Sequence, residues 1–65
     1  MKRYRIEAQD VGSITWEEVY FADSLPVAQR YAARLLESPT IRAARVVDQE
    51  SEEMWMIERN EGQDD

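Results

Sequence analysis

The side chains able to do chemistry are mostly carboxylates, and they crowd toward one end of the chain. Asp48, Glu50, Glu52 and Glu53 fall close together, and Glu58 and Glu61 follow. Spaced oxygens of this kind can hold a hard cation. The run Asp48-x-Glu50-x-Glu52-Glu53 lacks the D-x-D-x-D-G order and the glycine of a calcium loop, so it reads as an acidic hairpin turn and no metal is expected. There is no histidine, the usual acid–base group near neutral pH, and no cysteine nucleophile. Lys2 is the one lysine. Ser13, Ser24, Ser38 and Ser51 sit where turns and helix ends are expected, and no histidine base can activate them. Glu17 and Glu18 are neighbours on an expected strand, point to opposite faces, and so form no carboxylate dyad. Gly12 and Gly62 are too few and too far apart for a phosphate loop. The chain is therefore not expected to be an enzyme, and neither catalytic residue nor cofactor is assigned.

What remains is charge and where it lies. The formal net charge is −6. Residues 1–45 carry seven bases against six acids; residues 46–65 carry one base against eight acids, a net −7. Such a field repels nucleic acid and attracts basic surfaces. The acidic end is either a solvated, solubilising segment or a functional acidic surface.

With 65 residues the chain makes one small domain, burying about 60% of its unfolded surface. Lack of cysteine fits a reducing compartment such as the cytoplasm. No stretch approaches the roughly 18 apolar residues of a membrane span, and Lys2, Arg3 and Arg5 precede no apolar signal core.

The elements that must position these groups are organised around Ser24 to Ser38. Leu25, Ala28, Ala32, Leu35 and Leu36 form one helical stripe, opposite Arg30, Arg34 and Glu37. Ser24 is the expected N-cap, Pro26 fits the first turn, and Ser38-Pro39 ends the helix. Lys2 to Gln9 alternates, with Tyr4, Ile6 and Ala8 on one side. Residues 10–13 form a turn, and Ile14 to Phe21 reads as a second strand. A two-residue turn at Val11-Gly12 pairs Tyr4 with Val19 and Arg5 with Glu18, though a three-residue turn also fits. That register sends Val19 and Phe21 to the core and turns Trp16 and Tyr20 away. Ile41 to Asp48 and Glu53 to Arg59 form the second hairpin, with Val46 opposite Trp55 and Ala44 opposite Ile57. The predicted fold class is α+β: β-β-α-β-β, a four-stranded antiparallel sheet in the order 2-1-3-4 with one helix on one face. Residues 1–59 form the single domain, and residues 60–65 an acidic, disordered tail.

One sheet face is left without a cover. Met54-Trp55-Met56-Ile57 is apolar at consecutive positions, and a strand sends alternate residues to opposite faces. Trp16, Met54 and Met56 are thus candidates for an apolar patch, either ordinary surface or a dimer or partner surface. Arg3, Arg5, Arg42 and Arg45 lie on the central strands and support a rival reading, a small nucleic-acid-binding or structural phage protein.

The succession YRIEAQDVGSITWEEVYF, DSLPVAQRYAARLLES and IRAARVVDQESEEMWMIER, ending acidic, resembles the small phage-type anti-CRISPR proteins over residues 2–59. The resemblance implies an inhibitor of a type I effector in the host-cell cytoplasm. Such a protein would act as a nucleic-acid mimic, occluding the surface of a Cascade subunit that reads the protospacer-adjacent motif. The expected partner is then a basic surface of a nucleic-acid-binding protein, with no direct nucleic acid, no membrane, and a homodimer as an open option. The expected partner-binding residues are Asp48, Glu50, Glu52, Glu53, Glu58 and Glu61.

Overall fold

In the computed structural model, which describes residues 2–58, two hairpins flank one helix. The elements are β1 (Tyr4–Asp10), β2 (Glu17–Ala22), α1 (Leu25–Leu35), β3 (Ile41–Asp48) and β4 (Met54–Glu58). The sheet is antiparallel in the order β2-β1-β3-β4, as expected. The expected tail, residues 60–65, and the end of the fourth strand at Arg59 lie outside the described residues.

The helix begins where its cap predicts. Ser24 is extended, and its Oγ accepts the Val27 N–H at 3.4 Å. It ends sooner than Ser38. The Leu36, Glu37 and Ser38 N–H groups donate three residues back, to Ala33, Arg34 and Leu35, tightening the chain into a turn before Pro39. Arg34 in the last turn complements the negative end of the helix.

The core is small and alanine-rich: Ile6, Ala22, Ala28, Ala32, Ala44 and Val46 are buried together. Ala28 and Ala32 let the helix backbone lie close to Ala44 and Val46. Tyr4, Leu25, Tyr31, Leu35, Leu36, Trp55 and Ile57 close the margins. Larger side chains at the alanines would force the layers apart.

The two hairpins differ in how well they meet expectation. In β3–β4, Val46 pairs with Trp55 and Ala44 with Ile57, as read from the sequence. In β1–β2, Tyr4 pairs with Ala22 rather than Val19, and Arg5 with Phe21 rather than Glu18. The connection is longer than a tight turn, because β2 starts at Glu17 and not at Ile14. The Val11 N–H donates to the Thr40 carbonyl at 3.0 Å, holding this loop to the start of β3. The register then shifts between Ile6 and Glu7, where Val19 is the extra residue of a bulge. An odd slip reverses the faces of a strand. Val19 and Phe21, expected in the core, are therefore exposed. Tyr20, expected to face away, packs on the helix side, stacked on Tyr31 with ring centroids 4.2 Å apart, and Ala22 enters the core.

Candidate functional site

Asp48, the last residue of β3, organises the acidic turn. It differs from the other acids of the run in being buried, with its side chain 3% exposed. Arg3 grips it bidentately, Nε to Oδ1 at 2.9 Å and Nη2 to Oδ2 at 2.8 Å. The Glu50 and Ser51 N–H groups donate to the same Oδ1 at 2.9 and 3.3 Å. The bond from Arg3 holds the Asp48 carboxyl well below the usual carboxylate range, working against burial; the turn's N–H donors lower it further. Two backbone bonds close the loop, Asp48 N–H to the Glu53 carbonyl at 2.8 Å and Glu52 N–H to the Asp48 carbonyl at 2.7 Å. Glu52 must then take a left-handed backbone, φ 68°.

Asp48 is thus not a surface group for a partner, which corrects the sequence expectation. Its carboxylate is occupied inside the turn, fixing a loop from which Glu50, Glu52 and Glu53 project into solvent. Glu50 also lies 3.6 Å from Arg3. Glu58 closes β4, and its side chain and Glu61 lie outside what the structure describes. Among the described residues, no group of three or more His, Cys, Asp or Glu side chains is placed to hold a metal ion.

The sheet face opposite the helix carries a second charged assembly. Glu7 is buried at 6% exposure, between Arg5 on its own strand and Arg45 on β3. Arg5 Nε donates to Oε2 at 2.8 Å and Arg45 Nε to Oε1 at 2.5 Å. Glu18 stands 3.8 Å from Arg5, and the Arg45 guanidinium lies 4.2 Å over the Trp16 ring. Met56 pairs with Arg45 and Met54 with Val47, so both methionines share this sheet face with Arg45 and the Trp16 ring that lies under its guanidinium. Both methionines remain about half exposed, Met54 at 50% and Met56 at 53%. Sequence reading placed Glu7 on the solvent side of β1 and missed its role. The available signal was Arg5 two residues away on the same strand face.

The same geometry bears on the basic residues. Arg3, Arg5 and Arg45 are each paired with a carboxylate, and Arg42 donates to the Gln9 side chain and the Ser13 carbonyl. Comparison with protein-family models, with curated proteins and with solved structures found no match.

Proposed function

We propose that this chain is a non-catalytic protein-binding module whose β3–β4 turn presents Glu50, Glu52 and Glu53 to a basic groove that otherwise holds nucleic acid. One observation carries the reading. Arg3 and the arginines of the central strands are engaged within the molecule, while Glu52 and Glu53 project outward from a loop held by Arg3 and Asp48, and Glu50, 3.6 Å from Arg3, stays exposed beside them. A rigid display of carboxylates suits a groove that grips phosphates, because the attraction acts without ordering a loop on binding. The same pairing weighs against the nucleic-acid-binding alternative, because Arg3, Arg5 and Arg45 would have to leave their carboxylates and Arg42 its bonds to Gln9 and Ser13.

On the resemblance to phage-type anti-CRISPR proteins, the groove is that of a type I Cascade subunit, and occupying it blocks reading of the protospacer-adjacent motif. The partner is then met in the host cytoplasm; no helix among the described residues is long and apolar enough to cross a membrane.

The test replaces Glu50, Glu52 and Glu53 together with Gln and measures binding to purified type I effector, with and without target DNA. Binding by the parent chain should fall steeply with salt, since exposed charges are screened beyond about 10 Å at 0.1 M. The triple variant should keep its melting temperature and lose affinity, by about 0.2–1 kcal/mol for each exposed pair. Unchanged affinity of the triple variant, or a shift of free DNA by the parent chain, would overturn the proposal.

A further inference from the structure

The sheet has two edges, and they are not protected alike. Natural edge strands avoid pairing with other chains by bulges, charge, proline or a covering element. β2 has such devices. It is bulged, it begins with Glu17 and Glu18, and Tyr20 is capped by Tyr31 of the helix. β4 has none of them along Met54-Trp55-Met56-Ile57. Its register with β3 is unbroken, these four positions hold no charge or proline, and the helix packs chiefly on β1 and β3, with Trp55 and Ile57 only at the margin of the core.

The hydrogen-bond phase shows which backbone groups β4 offers. Asp48 donates to Glu53, so these two form a hydrogen-bonded pair of the hairpin. Bonded and non-bonded pairs alternate along an antiparallel ladder. Val46–Trp55 and Ala44–Ile57 are therefore bonded pairs, and Met54, Met56 and Glu58 turn their N–H and C=O groups to the open edge.

From this we infer that β4 pairs antiparallel with β4 of a second copy about a two-fold axis at Met56, making one continuous eight-stranded sheet. This register uses all three outward-facing residues: Met56 exchanges both backbone bonds with the partner's Met56, and Met54 lies opposite Glu58 of the partner subunit. It sets Trp55 beside the partner's Ile57 on the helix side and brings the two half-exposed Met56 side chains together on the open face. It opposes no like charges within β4. The two acidic turns point to opposite ends, with their Glu53 residues about 20 Å apart along the strands, beyond the screening length at physiological salt. A copy of the same chain thus meets apolar side chains with apolar ones and keeps its net negative charge apart. The inference is independent of what the acidic turn binds.

The natural absence of cysteine provides the test. Bonded antiparallel pairs have Cα atoms about 5.5 Å apart, within disulfide reach. Met56→Cys should cross-link the native protein through a single disulfide under mild oxidation. Met54→Cys, offset from its own copy by roughly 13 Å along the strand, should not. The parent chain should sediment at twice its 7.7 kDa mass at high micromolar concentration. Met56→Pro, which removes only an outward N–H, should sediment as a monomer with the helix and sheet retained. A monomeric parent chain overturns the inference. So does cross-linking of the two cysteine variants at equal rates, or a dimer that survives Met56→Pro.

Discussion

The two hairpins of this sheet are built from similar material and solved differently. β3–β4 closes through a short turn whose opening residue, Asp48, accepts bonds from the turn itself and from Arg3. Its register is continuous, and its face assignment follows directly from the alternation of the strands. β1–β2 closes through a longer loop tied to Thr40, and a bulge at Val19 re-phases the strand. The difference shows that a turn stabilised by its own side chains sets register locally. A loop anchored to the start of β3 leaves register to the core, where Ala22 is buried under the helix while Tyr20 stacks on Tyr31 and stays exposed.

Matched valine truncations sharpen this contrast and should give its largest effect. Val46→Ala, fully buried in β3, should cost about 2 kcal/mol from lost apolar burial and the cavity left behind. Val19→Ala, exposed at the bulge, should stay within about 0.5 kcal/mol. Denaturant unfolding of both variants checks the pair; equal losses would place Val19 in the core and refute the slipped register.

The next effect down is acid sensitivity. The carboxyl of Asp48 is depressed in the folded state, so the unfolded chain binds its proton first as pH falls. The stability it contributes is complete above the unfolded value, about 3.9, and is lost as pH drops from there toward the folded value. Asp48→Asn keeps an oxygen for the turn but has no proton to gain. Its melting temperature should start lower at pH 7 and fall less between pH 5 and pH 2 than that of the parent chain. Parallel pH curves for the two proteins would show that the Arg3–Asp48 pair does not govern this turn.

The smallest effect has the opposite sign. Glu52 holds a left-handed backbone that costs an L-residue about 1–2 kcal/mol, against a smaller entropic penalty for glycine. Glu52→Gly should therefore stabilise the protein by about 0.5–1 kcal/mol while removing one exposed carboxylate from the proposed binding turn. Thermal melting alongside effector binding reads both consequences, and a destabilised variant would refute the strained turn.

Much of this molecule was decided by local pattern. The helical stripe from Leu25 to Leu36, its Ser24 cap, the alternation of β1 and the register of β3 with β4 are all legible in the residues, because each depends on neighbours close in sequence. The acidic turn was legible as a site, but not the division of labour within it. That Asp48 is internal while Glu50, Glu52 and Glu53 are external follows from Arg3, which is distant in sequence and brought beside the turn only when β1 pairs with β3. Tertiary structure alone also buried Glu7, since Arg5 supplies one half of its pairing locally and Arg45 the other half from across the sheet. It alone turned Phe21 to the open face and Tyr20 to the helix side, where Tyr20 stacks on Tyr31 but stays exposed. A strand carries two possible faces in its sequence, and the choice falls to whichever face leaves the alanine-lined space beneath the helix filled without strain.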